Sequence, residues 1–289
     1  MGTLEAILIG IVQGLTEFLP ISSTAHIRVL PALLSWPDPG AAFTAVIQLG
    51  TLLAVLIYFR RELLHAFGAW FRSLHDRSAR NTADARIGWG IFIGTIPIVV
   101  FGLAFKRSIE RDLRSLYVVA GALILMGIVL ALADRWGKRN RGEADARPID
   151  GLWVGLFQAI ALIPGASRSG STIAGAMLCG FDRAAAARYS FLLSVPSVFA
   201  AAVLEVWSER THLADLGWSA VLWANAAAFV VGYASIAFLI RWLQTRSLAP
   251  FIVYRILLGL ALLGLMAQGT LAPDAGLSPK PPSVSSNPR

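Results

Sequence analysis

Two stretches hold nearly all the residues able to do chemistry. The first, Gln13 to His26, reads Q-G-L-T-E-F-L-P-I-S-S-T-A-H, and the second, Pro164 to Thr172, reads P-G-A-S-R-S-G-S-T. Ser22 and Ser23 precede His26 by four and three residues, so on a helix the imidazole can reach a serine hydroxyl. A serine beside a histidine is the minimum set for nucleophilic attack, with the histidine as base and later as acid. Gln13 and Glu17 lie four apart and share a helix face. Glu17 could orient the histidine, hold a divalent cation such as Mg²⁺ or Ca²⁺, or share a proton with a phosphate.

In the second stretch, Ser167, Ser169, Ser171 and Thr172 surround Arg168 just before a predicted helix. Helix N-termini offer free N–H groups and a positive dipole end to anions. Gly165 and Gly170 let backbone come close to a ligand. Arg168 supplies a planar fork that grips phosphate oxygens in pairs. The set reads as a phosphate cradle. It is not a Walker loop, because the Gly-Lys-Ser/Thr ending is absent. The simpler reading is that the serines cap a half-helix and Arg168 pairs with Glu17. Capping alone, however, needs no buried arginine. We expect the two stretches to meet in one phosphate-handling site. Ser22, Thr24 and Gln13 line its acidic side, and Arg183, just past Gly180, either assists with phosphate or forms a boundary salt bridge.

The chain around these residues is apolar. Its 289 residues are 56% hydrophobic and 15% charged, against about 25% charged in an average soluble domain. Runs long enough to cross a bilayer, roughly 20 residues each, recur along it. The net charge of +8 sits mostly between these runs. It therefore reads as topology and contact with anionic lipid headgroups, not as nucleic-acid binding. Cys179 is the single cysteine, which excludes an internal disulfide, and no Cys/His cluster suggests zinc. No basic stretch precedes the first apolar run, so a cleaved signal peptide is not expected.

Six spans are predicted: Ala41–Phe59, Ile87–Phe105, Leu116–Ala133, Ala185–Leu204, Trp218–Ile240 and Phe251–Gln268. Arg60–Arg86 and Asp134–Asp150 read as charged loops. Residues 3–34 and Gly151–Gly180 are different. Each holds two apolar half-helices around a proline, at Pro20 and Pro164, and each half is too short to cross alone. Such a pattern suggests a re-entrant hairpin, whose irregular backbone must be buried in protein or face a cavity. One kinked span is the alternative. The two segments align at Gly10 with Gly155 and at Gln13 with Gln158. Interrupted segments at matching places in two halves point to an inverted repeat with its site near mid-bilayer. By the positive-inside rule the two basic loops lie in the cytoplasm. The first hairpin then dips from outside and the second from the cytoplasm.

At these motifs, together with G-F-D-R and S-F-L-L-S-V-P, the chain resembles the bacterial undecaprenyl-diphosphate phosphatase family, also called the bacitracin-resistance proteins. The resemblance covers nearly the whole chain except the tail. The family has Glu or Gln followed by Glu four later; here these are Gln13 and Glu17, so Glu17 is the main acidic group. Ala25 stands where glycine is common. The resemblance implies Ser23 as nucleophile, His26 as its acid/base partner, and Glu17 with Arg168 at the phosphates. It also implies dependence on Mg²⁺ or Ca²⁺, a homodimer, and a site facing the periplasm from the bacterial inner membrane. The expected activity is hydrolysis of a polyprenyl diphosphate lipid, which recycles the carrier for peptidoglycan synthesis and confers bacitracin resistance. The alternative is a flippase for the monophosphate, since inverted repeats with broken helices mark transporters.

The expected fold is an all-α polytopic membrane protein of about six transmembrane helices plus two re-entrant helical hairpins in an inverted repeat. One membrane-embedded domain would cover residues 1–271, with repeat halves at roughly 1–133 and 151–271. The Pro- and Ser-rich residues 272–289 would form a disordered tail.

Overall fold

The computed structural model describes residues 2–34, 36, 40–106, 109, 112–208 and 218–275. Among these, eleven α-helices follow one another: α1 Thr3–Phe18, α2 Ser23–Leu34, α3 Gly40–Tyr58, α4 Arg60–His75, α5 Ala83–Ala104, α6 Leu116–Trp136, α7 Pro148–Ile160, α8 Arg168–Leu178, α9 Arg183–Ser208, α10 Trp218–Leu243 and α11 Ala249–Ala267. Helices dominate because backbone polar groups inside a bilayer must be satisfied within their own segment. Five of them, α5, α6, α9, α10 and α11, are each long and apolar enough to cross a membrane, and the bent pair α3–α4 adds a sixth if it is counted as one span. The protein is polytopic and all-α.

Neither hairpin contains a spanning helix. At 16 residues α1 is the longest of the four short helices, about 24 Å at 1.5 Å per residue. That falls short of a hydrocarbon core of about 30 Å. α1 packs against α2 and α7 against α8, and each pair turns at its proline-containing break.

Packing exposes the repeat more fully than the short sequence match does. α1 of the first half lies against α10 of the second, and α7 of the second lies against α5 of the first. α3 meets α9 and α6 meets α11, each pair being its own counterpart. Lipid tails give apolar helices no reason to leave the bilayer for one another, so close approach must come from small residues. A Cβ on Gly10 would lie 2.2 Å from the Ala224 carbonyl oxygen, and one on Gly155 would lie 2.3 Å from that of Gly94. The glycines aligned between the two halves thus occupy matching swapped contacts.

Three expectations change. Arg60–Arg86 is not a loop. Its charges hide an amphipathic pattern, Leu63, Ala66, Phe67 and Trp70, that forms α4, bent 80° from the helix before it. Ala66 is buried against Gly88 of α5, while Arg60, Arg61 and Arg72 stay exposed. A short 3₁₀ turn at Ser78–Asn81 follows, and Thr82 caps α5 four residues earlier than the predicted Ile87. The tail does not become irregular at once. Residues 272–275 form a turn in which the Pro273 carbonyl accepts from the Leu116 N–H at 2.9 Å. Residues 276–289 lie outside the described residues, as do 209–217 of the acidic loop.

The swapped contacts can be tested directly. Gly155→Val should lower stability by about 1–3 kcal/mol through overpacking, seen as a lower unfolding midpoint in detergent. Gly121→Val, where an added Cβ meets nothing within 4 Å, should leave the midpoint within a degree or two, a shift on the scale of a surface substitution.

Candidate active site

The two breaks bring their tips together inside the bundle. Glu17 ends α1 and Arg168 begins α8; the carboxylate Oε1 accepts from Arg168 Nη2 in a buried ion pair. The other carboxylate oxygen accepts from Ser23 Oγ at 2.6 Å and from Gln13 Nε2 at 3.0 Å. Arg168 also donates from Nη1 to the Ser194 carbonyl of α9 at 3.3 Å. A direct bond joins the tips as well: Ser169 Oγ donates to the Leu19 carbonyl at 3.1 Å.

Each short helix starts in the same way. Ser22 before α2 and Ser167 before α8 have φ of 74° and 71°. Non-glycine residues adopt that region at a cost, and such strain collects at functional sites. Both serines cap: Ser22 Oγ accepts from the Ala25 N–H at 3.3 Å, and Ser167 Oγ from the Gly170 N–H at 3.1 Å. The strained serines set Ser23 and Arg168 as first residues of their helices. Two positive dipole ends therefore converge where the carboxylate, hydroxyl and guanidinium meet.

His26 departs from expectation. Its Nδ1 lies 2.7 Å from the Ser22 carbonyl, and its Nε2 lies 2.7 Å from the Tyr254 hydroxyl. A carbonyl only accepts, so Nδ1 carries the proton and Nε2 accepts from the tyrosine. The ring stacks on Tyr254 with planes 7° apart. Ser23 therefore donates to Glu17 and not to His26. The turn at Ser22 sends the histidine back to the backbone of its own break and aims Ser23 across at α1.

Other expected residues divide. Thr24 is exposed and lines an apolar cavity of about 400 Å³ that also touches Pro164, Leu162 and Arg114. Ser171 and Thr172 do not line the cradle. Both are fully buried, and Thr172 Oγ1 donates to the Arg168 carbonyl at 2.7 Å and accepts from Ser190 Oγ at 2.5 Å. Thr172 thereby ties α8 to α9. Arg183 is also elsewhere. Its Nε donates to Asp134 at 2.5 Å, and eleven residues of α9, roughly 16 Å of helix, separate it from Ser194. It is the boundary salt bridge.

For a divalent cation the donor set is small. Among the described residues no cluster of three or more His, Cys, Asp and Glu exists. Glu17 is the carboxylate, and beside it the buried Gln13 Oε1 has no hydrogen-bond partner among the described residues. Gln13 faces Glu17 with Nε2, so sharing a cation requires its amide to turn over; one carboxylate and one amide oxygen would then suit Mg²⁺, which takes most of its ligands from water and substrate phosphates, and not an all-protein Ca²⁺ cage.

Sequence reasoning missed Tyr254 and Arg255. The first is an ordinary aromatic in a span and left no signal. The second is an arginine inside F-I-V-Y-R-I-L-L-G-L, and a charge there marks function or structure by its cost alone.

Comparison with known proteins shows the family. The family described as bacitracin resistance protein BacA matches residues 6–261. An undecaprenyl-diphosphatase of Prosthecochloris aestuarii is 51% identical over 94% of this chain and 99% of its own length. One of Thermobifida fusca is 49% identical over 96% of this chain and 94% of its own. A protein named undecaprenyl-diphosphatase 2, from Frankia casuarinae, is 48% identical over 96% of this chain and all of its own.

The buried pair has a measurable coupling. Glu17→Leu or Arg168→Met alone strands a buried charge and should cost about 3–5 kcal/mol. The double variant should lose clearly less than the sum, as read from denaturation midpoints of the four proteins.

Proposed function

The chain belongs to the bacitracin resistance protein BacA family, and on that footing we propose that it hydrolyses undecaprenyl diphosphate to undecaprenyl phosphate and inorganic phosphate. It is an enzyme of the membrane that regenerates the lipid carrier for cell-wall synthesis and so confers bacitracin resistance. The observation that carries the mechanism is the Ser23 hydroxyl bonded to Glu17, which is itself paired with Arg168 from the other tip. A flippase would use Arg168 to bind phosphate but has no need of a hydroxyl held on a base.

The steps follow from the contacts. The terminal phosphate takes the Arg168 fork and the N-termini of α2 and α8, displacing Glu17 from the guanidinium. Ser23 Oγ attacks the terminal phosphorus while its proton passes to Glu17; the bridging P–O bond breaks and the lipid monophosphate leaves. Water then displaces the Tyr254 hydroxyl from His26 Nε2, attacks the phosphoserine and gives its proton to that nitrogen, which is unprotonated in the tautomer set by Ser22. Glu17 returns its proton to Ser23 as the P–Oγ bond breaks. Tyr254 holds the imidazole in plane for that transfer. A divalent cation held by Glu17 and Gln13 would add positive charge against the diphosphate oxygens.

The reading includes a site open to the periplasm. In its support, the cavity beside Thr24 and Pro164 leads to Lys106, Ile109 and Arg114 in the α5–α6 link. That link lies at the opposite end of α5 from the basic segment around α4, and the positive-inside rule places the latter in the cytoplasm. Lys106 and Arg114 would draw an anionic head group inward. The reading also includes a homodimer, which the wide exposed apolar faces of the helices permit.

In detergent, with a long-chain polyprenyl diphosphate and Mg²⁺, the wild type should release phosphate. Ser23→Ala and Arg168→Ala should lose about 10³-fold or more, and His26→Ala about 10²-fold. Tyr254→Phe keeps the stacking and should lose only about tenfold in kcat, an effect of one hydrogen bond. Rapid quenching of the terminally labelled substrate should trap label on Ser23. A fully active enzyme that never carries label there would replace the serine by a directly activated water.

Chelation gives a separate check on the cation. Excess EDTA should abolish turnover and Mg²⁺ should restore it, while Gln13→Leu should raise the Mg²⁺ concentration needed by about tenfold, the usual scale for losing a supporting ligand. Unchanged activity in EDTA would remove the cation from the mechanism.

A further inference from the structure

We propose that Arg255, on α11, is a positioning residue that holds the two tips at their working separation. Its side chain is fully buried, and among the described residues it has no carboxylate partner. Its guanidinium is spent on carbonyls instead. Nε donates to Leu123 of α6 at 3.0 Å, Nη1 to Pro20 at 3.2 Å, and Nη2 to Gly165 and Ala166 at 3.0 and 2.9 Å.

Three of those four carbonyls stand in the helix breaks. Pro20 lies three residues after Glu17 and three before Ser23, and Gly165 and Ala166 run up to Ser167 and Arg168. Carbonyls in a break have no helical ladder to take their lone pairs, and Pro20, Gly165 and Ala166 are all buried. One arginine supplies the missing donors to both breaks at once. Because the fork is planar and rigid, it also fixes how far apart its acceptors sit. The distance from Glu17 and Ser23 to Arg168 is thus set from behind by a residue that touches none of them. Gly170, where a Cβ would come within 2.7 Å of Arg255 Nη1, leaves the room the guanidinium needs, and Gly165, at φ 94°, lets its break pass close against the Val119 carbonyl. The matching helix of the first half, α6, carries no cation before its cytoplasmic end at Asp134–Arg135. The device therefore belongs to the site and is not a general feature of the repeat.

The inference rests on the phosphatase reading for its kinetic arm only. Arg255→Lys keeps the charge but cannot span the four carbonyls, and Arg255→Met removes all four bonds. In Arg255→Lys the kcat for phosphate release should fall about 100-fold, the penalty of roughly 1 Å of misplacement, with KM within threefold. Hydrogen exchange on the same detergent-purified protein should show residues 19–23 and 163–168 exchanging about tenfold faster together, with α4 and α5 unchanged. Arg255→Met should loosen both tips further; if it does not fold, the lysine variant decides alone. A lysine variant with kcat within twofold of wild type, or with exchange rising equally through all helices, overturns the proposal. Should the wild type release no phosphate, the phosphatase reading fails, and the exchange measurement still decides the role of Arg255.

Discussion

A carboxylate and a guanidinium pressed together in an apolar bundle set the terms for everything around them. Neither Glu17 nor Arg168 can be buried alone without a penalty of several kcal/mol, on the order of 3–5 for an abandoned partner. Each sits at a helix end in a different half of the chain, so the pair joins the halves where both backbones are broken. A continuous helix through either position would carry the side chain past its partner. The breaks, the strained serines and the carbonyl-filling Arg255 all follow from holding these two charges at one point. The repeat is nearly symmetric in packing but not in chemistry. Four residues after Gln13 stands Glu17, whereas four after Gln158 stands Leu162, and Gln158 turns instead to Ser197 and the Gly94 carbonyl. One scaffold, built twice, carries a single reaction centre.

The hydroxyls near that centre divide by direction, not by proximity in sequence. Ser22, Ser167 and Ser169 bind backbone of the breaks, and Thr172 ties α8 to α9. Of these hydroxyls, Ser23 is the one that points at a carboxylate. In the proposed mechanism Ser23 already rests on its base, Glu17, before an anion arrives, and the exchange of Glu17 for phosphate at Arg168 is the rearrangement that binding brings.

Much of this was legible in the sequence because cost is legible there. Glu17, Arg168 and the prolines stand out in apolar surroundings, and their meeting follows from the repeat. What the sequence hid was orientation. The pairing of Ser23 with Glu17, not His26, depends on a backbone turn at Ser22 that no local pattern announces. Ser171 and Thr172 look identical in type to the cradle serines, yet a helix rotates them inward. α4 was masked by its arginines, although Leu63, Phe67 and Trp70 keep a helical period. Arg255 showed its signal and Tyr254 had none, since an aromatic in a span is ordinary until a histidine is found beneath it.

The exchange of partners between halves has a consequence for how the protein is made. Synthesis delivers the chain from its N-terminus, and domains generally fold as they emerge. The glycine face of α1, however, has its partner in α10, some two hundred residues later. The first hairpin must wait in the bilayer with its glycine face uncovered until α10 arrives and its Pro20 carbonyl unfilled until α11 does. Assembly is therefore postponed to the last two helices, and a nascent chain stopped before them holds the serine and the glutamate but no enzyme. The membrane is spared a half-built hydrolase acting on its own lipid carrier.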